Sequence, residues 1–385
     1  MDYRYPPDTL PFRMEVRQWL QHNLDEELRG LSNRGALNPE QLDALRRWNR
    51  KLADAGYAAI SWPAEYGGRA AGVMEQVVLA EEMHRAEAPA ALNPIGLANI
   101  APSIMAWGTE EQKRTLLPRM QRGDDIWCQG FSEPGAGSDL ASLRCRAVLD
   151  GDHFIVNGQK VWNTLGHLAD YCELLVRTDP DAPRHQGITC LLVDMHLPGI
   201  TVKPLTTLTG EDEFSEIFFE DVRAPTSALL GPVNQGWQVA MTTLSNERAG
   251  VANLHLGVRK KIARLIQAAR EREVDGLPVS RDPIARQQLA RVYLYGEYQK
   301  ALADVCIAGE LNGRPPGAES SITKQSWSDI EQLIGETSAS VLGAEAQRGD
   351  WGDNRLYSRA TSIAGGTTQI NKNIIARRVL GLPKD

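Results

Sequence analysis

The sequence predicts an α+β chain in three parts: helices over residues 1–125, a β domain over 126–235 and a helical bundle over 236–385. Three observations carry this reading. Apolar residues in the first third recur at three- and four-residue steps, the spacing of one helix face. Short strand-forming runs separated by turn signals fill the middle, as in a small barrel or sandwich. After Gly236 the helical period returns and holds nearly to the end. At roughly 150 residues per domain, 385 residues hold two or three domains with a large core.

Phe12, Val16, Trp19, Leu20, Leu24 and Leu28 fall on one helix face. Asn38-Pro39 reads as a cap with proline at the first helical position. Leu42, Leu45, Trp48 and Leu52 continue that helix, and Gly56 can end it. Residues 61–68 form a loop, and 75–85 and 110–121 are further helices. In the middle, strands at 144–149 and 153–156 flank the turn Asp150-Gly151-Asp152, with Asn157-Gly158 as a second turn signal. Residues 171–178, 187–194 and 213–222 are the remaining strands. The last part predicts helices over 239–270, 284–311, 323–342 and 368–380.

Lys and Arg total 42 against 49 Asp and Glu, so 42 − 49 gives a net charge of −7. A mildly acidic chain is a poor general binder of nucleic acid. The five cysteines are scattered with no CxxC, which argues against a disulfide framework or a zinc site and fits a reducing, cytoplasmic compartment. The seven histidines show no paired ligand spacing, so no metal is expected. The N-terminus lacks the apolar core of a signal peptide. Residues 88–109 carry no charge, but Pro89, Asn93, Pro94, Asn99 and Pro102 read as buried segments rather than a membrane span.

Four segments could carry chemistry. In 133–139, Gly135 and Gly137 let backbone N–H groups approach a ligand closely. It is not GxGxxG, so a Rossmann site is not indicated. In 160–164, a tryptophan near a threonine hydroxyl could stack on a flat ring and bond its edge. In 245–248, Glu247 and Arg248 are consecutive on a helix and so point about 100° apart, which lets one face a cleft alone. In 363–370, two glycines precede the last helix, where free N–H groups can hold an oxyanion. Taken singly, each also has an ordinary reading: a turn, a core tryptophan, a solvated helix face and a helix-entry loop.

Together, in this order, these segments resemble the acyl-CoA dehydrogenase family over nearly the whole chain. Ser132-Glu133-Pro134-Gly135-Ala136-Gly137-Ser138-Asp139 is the most specific motif, and Asn157-Gly158-Gln159-Lys160-Val161-Trp162 is close to the second. Gly365-Gly366-Thr367-Thr368-Gln369-Ile370, followed by Ile374-Ile375-Ala376-Arg377, resembles the C-terminal signature. Residues 63–68 and 108–113 match lesser family loops. The resemblance implies an N-terminal helical domain, a middle β domain and a C-terminal four-helix bundle, usually in tetramers. It implies FAD, a CoA thioester substrate and α,β-dehydrogenation to the trans-2-enoyl product, with an electron-transfer flavoprotein as acceptor.

Carried over by position, the resemblance puts Gln129, Phe131 and Ser132 along the flavin, with Trp162 flanking it and Thr164 near N5. Gly137 and Ser138 lie along flavin and CoA. Arg272, Thr367 and Gln369 meet the FAD of their own or a neighbouring chain. Ser138, Leu244, Arg248, Ala364 and Gly365 line the substrate. Many members place a catalytic Glu where this sequence has Gly365; a smaller set places it before an Arg in the first bundle helix, which matches Glu247-Arg248. Glu247 is therefore the expected base, and the backbone N–H of Gly365 and a ribityl hydroxyl are the expected donors to the thioester carbonyl. The room freed at position 365 suits a branched or bulky, steroid-like acyl group.

Two departures touch the family's contact between FAD and a neighbouring subunit. Asp275 stands where Arg-x-x-Phe-Gly has its aromatic, and Ser340 stands where a Gln precedes Gly-Gly. A homotetramer or dimer of dimers is expected, with a heterotetramer of two homologous chains as the alternative. Competing readings on the same scaffold are a flavin oxidase or monooxygenase, a DNA-binding alkylation-response flavoprotein, and a partner subunit without turnover. The charge pattern counts against the second and Glu247 against the last.

Overall fold

The first third is realised as α1 (Thr9–Asn23), α2 (Pro39–Asp54), α3 (Val73–Arg85), α4 (Ala101–Trp107) and α5 (Glu110–Arg122). The computed structural model describes residues 5–7, 9–31, 37–247, 253–314 and 317–383. Helix α2 starts as expected. Asn38 accepts from the Gln41 amide at 2.8 Å, Gln41 accepts from the Asn38 amide at 3.0 Å, and Pro39 takes the first turn. Leu24 and Leu28, expected to extend the first helix face, lie past the end of α1 yet still bury in the same core. Trp48 is fully buried there, and its indole N–H donates to the Pro89 carbonyl at 2.9 Å.

The uncharged stretch 88–109 folds into a π-helical turn (Gly96–Ile100) running into α4. Its Leu97, Ile100 and Ile104 join the largest core, with Trp127, Phe131, Val239 and Ala240. Among the described residues, no helix is long and apolar enough to cross a membrane.

The β region is an eight-stranded sheet of β1 (Trp127–Gly130), β2 (Arg146–Asp150), β3 (His153–Thr164), β4 (Tyr171–Arg177), β5 (Ile188–Asp194), β6 (Ile200–Leu205), β7 (Phe214–Pro225) and β8 (Leu229–Leu230). The order is β6-β7-β3-β2-β4-β5-β8, with β1 parallel to β4. One face closes on an interior of Cys128, Phe154, Val156, Cys172, Ile217 and Phe219. Asn157-Gly158, expected as a turn, is instead the middle of β3. The Asn157 side chain pairs with Asp221 across a register shift, and a Cβ at Gly158 would stand 2.7 Å from the Cys145 Cα. That glycine serves close strand approach, not reversal. Strands β1, β6 and β8 were not expected.

Helix α6 (Gly236–Glu247) completes the compact unit Asp8–Glu247. It starts against β5 so closely that a Cβ at Gly236 would lie 2.5 Å from the Thr189 carbonyl carbon. The other unit joins Met1–Pro7 to Arg248–Asp385. The single helix expected over 239–270 crosses residues 248–252, which lie outside the described residues; α7 (Leu254–Glu271) is described beyond them. Helices α8 (Pro283–Leu311) and α9 (Ser320–Leu342) pack with α7 around Val258, Ile262, Leu265, Val292 and Ile334. The short α10 (Gly349–Tyr357), not expected from sequence, and α11 (Thr368–Ile374) pack on α9. A hairpin of β9 (Glu273–Val274) and β10 (Leu277–Pro278) turns at Asp275-Gly276, both left-handed. This is the turn chemistry that explains an aspartate at 275.

Gly236→Ala is expected to cost about 1–3 kcal/mol, because backbone rather than a mobile side chain meets the added methyl. Chemical denaturation of the variant against the parent checks this.

Candidate active site

The loop after β1 is held from below. Glu133 is buried, and its carboxylate accepts the Arg144 amide at 2.7 Å, the Cys145 amide at 2.8 Å and Lys160 Nζ at 2.9 Å. Lys160, fully buried on β3, also donates to the Phe131 carbonyl at 3.0 Å. The Val161 amide donates to the Ser132 carbonyl at 2.9 Å, and Glu133 and Ala136 exchange backbone bonds. Residues 131–136 are thereby fastened to β2 and β3. Gly135, Gly137 and Ser138 are left on the exposed side. A Cβ at Gly135 or Gly137 would meet nothing within 4 Å, so the chain's own packing does not demand these glycines.

Strand β3 changes face within this stretch. Lys160 pairs with Ile217 and Asn163 with Ser215, three residues against two, so β3 carries an extra residue. Trp162 sits at the bulge with φ of +64° and is 61% exposed, set edge-on to Phe214. It is not a core tryptophan. Asn163 turns inward and donates to the Gln129 carbonyl at 2.6 Å.

Gln129, Phe131, Ser132, Trp162 and Thr164 thus gather where β1 meets the end of β3. A planar, hydrogen-bonding ring fits this set. Trp162 offers an uncovered aromatic face, and the exposed Gly135 and Gly137 leave backbone open to a ligand.

On the face of β1 and β4 that carries the Gln129 side chain, Glu173 pairs with Gln129 in register and is fully buried. Burial pushes its carboxyl up to about 8, against the Thr243 hydroxyl and the Gln129 amide, which favour the charged form. Leu244 follows on α6, partly buried against the same core, and Glu247 is the last described residue of α6. Arg248 lies outside the described residues.

The remaining expected residues belong to the unit Arg248–Asp385. Ala364 and Gly365 are exposed, and Gly365 and Gly366 are left-handed at φ of +63° and +87°. Buried Lys324 on α9 donates to the carbonyls of Thr361 at 2.9 Å and Gly366 at 2.7 Å, and Ser328 donates to Thr361 at 2.6 Å. Thr367 caps α11 by accepting from the Ile370 amide at 3.2 Å, and Gln369 is exposed. Arg272 is not brought to this loop. It bonds the Leu342 carbonyl and Glu345 at the far end of α9, about 27 Å from Lys324 by the helical rise. Ser340 also stays within the chain, donating to Gln288 at 3.1 Å.

Glu133, Lys160, Glu173 and Lys324 are the functional-site residues that sequence reasoning left without a role. Glu173 carried a signal, a lone acid inside the apolar run 171–176. A shallow groove beside β2 adds Arg144, Arg146, Arg177 and Arg184 on one surface. Arg177 is tied to backbone carbonyls and Arg184 to Asp139, while Arg144 and Arg146 point their charge outward.

A three-part helix–sheet–helix chain with this held loop defines a class of flavoprotein oxidoreductase, and comparison names it. Family models for the acyl-CoA dehydrogenase N-terminal, middle and C-terminal domains match residues 6–124, 128–222 and 234–380. The chain belongs to the acyl-CoA dehydrogenase family and has its three-domain architecture. Acyl-CoA dehydrogenase IpdE1 of Mycobacterium tuberculosis is 37% identical, over 98% of this chain and 99% of its own. The solved structure titled Tcur3481-Tcur3483 steroid ACAD aligns with TM-score 0.87 at 30% identity over 100% of both chains. The ChsE4-ChsE5 complex from M. tuberculosis gives 0.86 at 30%, over 100% of both.

Lys160→Met, which leaves Glu133 buried without its cation, is expected to destabilise the fold by about 3–5 kcal/mol. The double change with Glu133→Gln should recover part of that loss in the same denaturation assay.

Proposed function

We propose that the chain is an FAD-dependent acyl-CoA dehydrogenase whose base is Glu247 on α6. The carrying observation is that position 365 is a glycine, exposed and left-handed, and can supply no carboxylate. The α6 alternative is a glutamate carried by a helix that is anchored on the sheet.

Bound FAD supplies the acceptor for the β-hydrogen as hydride; Gln129, Phe131, Ser132, Trp162 and Thr164 hold it. Glu247 takes the α-proton as the Cα–Cβ double bond forms. The α-proton of a thioester is weakly acidic, so the carbonyl must be polarised. The Gly365 N–H does this, and a preorganised donor of this kind is worth roughly 3–4 kcal/mol. Lys324 and Ser328, by pinning the carbonyls around it, keep that loop from reorganising. Arg144 and Arg146 suit the phosphates of the CoA handle, and Ser138 lies on the exposed loop close to them in sequence.

A bulky or branched acyl group is the substrate class. The missing side chain at 365 supports this, as does a 30% identical neighbour whose title names a steroid enzyme. Electrons pass on to an electron-transfer flavoprotein. Assembly with another acyl-CoA dehydrogenase chain, a copy or a homologue, is supported by α8. Its Ile284, Leu294, Tyr298 and Val305 are exposed in addition to its buried face, and a similar structure is a two-protein complex.

Anaerobic titration with a panel of straight, branched and polycyclic acyl-CoAs, read by flavin absorbance, tests the reading. Bleaching is expected for bulky thioesters and slowed by about 10²–10⁴-fold in Glu247→Gln. Full-rate bleaching in that variant would assign the base elsewhere, and equal rates for short straight chains would remove the bulky class. Arg144→Ala and Arg146→Ala should each weaken thioester binding about tenfold and leave the bleaching rate at saturation unchanged.

A further inference from the structure

Helix α6 is seated by hydroxyl groups as well as by apolar packing. Ser103 Oγ on α4 lies 2.7 Å from Thr243 Oγ1 on α6, and Thr243 Oγ1 lies 2.7 Å from Glu173 Oε1 on β4. The Val239 carbonyl is also near the Thr243 hydroxyl, at 3.3 Å. A hydroxyl has one proton, and the shorter contact takes it. Thr243 therefore donates to Glu173, and Ser103 donates to Thr243. The preceding Thr242 is held to α4 as well, accepting from Trp107 Nε1 at 3.0 Å. Ser103, Thr243 and Glu173 are all 0% exposed. The whole chain of bonds lies inside the unit Asp8–Glu247.

Apolar contact is non-directional and would let a helix rotate or slide over the sheet. A relay of short hydrogen bonds across three elements permits one rotation and one height. Thr243 is one helical turn before Glu247. We propose that Glu173 is a positioning residue that sets the seat of α6, through Thr243 and Ser103, and with it the backbone from which Glu247 extends. This rests on the reading of Glu247 as base.

The seat is pH-dependent. Facing Glu173 are Ser103 from α4, Thr243 from α6, Gln129 from β1 and Leu192 from β5. The titratable neighbours are the thiols of Cys172 and Cys190, both pushed up by burial, and no charged side chain acts on Glu173 among the described residues. The folded protein keeps on Glu173 a proton that an unfolded glutamate gives up near pH 4.5, so stability falls as pH climbs from there through about 8. Above that, a buried carboxylate has the Thr243 donor on Oε1 and no partner on Oε2. Ionisation strengthens the Thr243 bond but leaves a charge that burial disfavours, and relieving it by admitting water beneath α6 loosens the seat.

The test uses the full-length, FAD-loaded chain as wild type, Glu173→Gln, Glu173→Leu and Thr243→Val. Melting temperature and hydrogen-exchange protection of residues 236–247 are followed from pH 6 to 9.5. The bleaching rate is measured with the thioester that reduces the wild type. Wild type should lose α6 protection between pH 7 and 9, while Glu173→Gln, neutral and similar in shape, should keep it. Glu173→Leu should lack protection at every pH and bleach about 10²-fold more slowly, with little change in the thioester concentration for half-saturation. Thr243→Val should reproduce that loss if Glu173→Leu does not fold. Protection that ignores pH in the wild type, or Gln as impaired as Leu, overturns the proposal. If Glu247→Gln bleaches normally while the exchange pattern holds, it is the base assignment that fails, not the seat.

Discussion

The buried ion pair of Glu133 and Lys160 is the constraint on which the site depends. Desolvating two charges is costly, and the pair is tolerable only because the remaining bonding capacity is used: two backbone amides on the carboxylate and a backbone carbonyl on the ammonium. Every one of those backbone groups belongs to a segment that must be placed, the loop after β1 or the two residues leading into β2. The pair fastens an exposed, glycine-bearing loop to a rigid sheet, beside the buried Phe131 and Ala136 that anchor the loop in the core. That leaves Gly135, Gly137 and Ser138 free of internal duties.

The sheet divides labour between its faces. One encloses an apolar interior with three cysteines whose thiols have no charged role. The other receives α4 and α6 and admits a small polar seam, Gln129, Glu173, Thr243 and Ser103, inside an otherwise apolar layer. A seam of this kind contributes less to stability than packed hydrocarbon does. It is directional where packed hydrocarbon is not, and it meets α6 at Thr243, one helical turn before Glu247.

Much of the fold was legible because helix periodicity and caps are local. Asn38-Pro39, the runs at 284–311 and 323–342, and the turn at 150–152 matched the structure closely. The failures have physical causes. Asn157-Gly158 is a turn signal by composition, but Asn157 found a partner in Asp221 and Gly158 was required by contact with β2, both tertiary facts. Strand β1 is only four residues long and pairs in parallel with β4, far along the chain, so no local pattern announces it. Of the site, the motif residues were legible as a group. Their support was not, since Lys160 and Glu133 look like ordinary surface charges until the fold buries them. Arg272 was read from its motif alone, and its bond to the Leu342 carbonyl at the end of α9 is a tertiary fact as well.

The extra residue in β3 has a further consequence. Without it, the alternation of a strand would put Lys160 and Asn163 on opposite faces; with it, both point inward and Trp162 is thrown outward. Strand length here is thus a more protected quantity than residue identity. Most single replacements between 160 and 163 would alter one contact, whereas a one-codon deletion would swap inside for outside across the whole segment. Descendants of this gene can drift in spelling along β3, but they inherit its count.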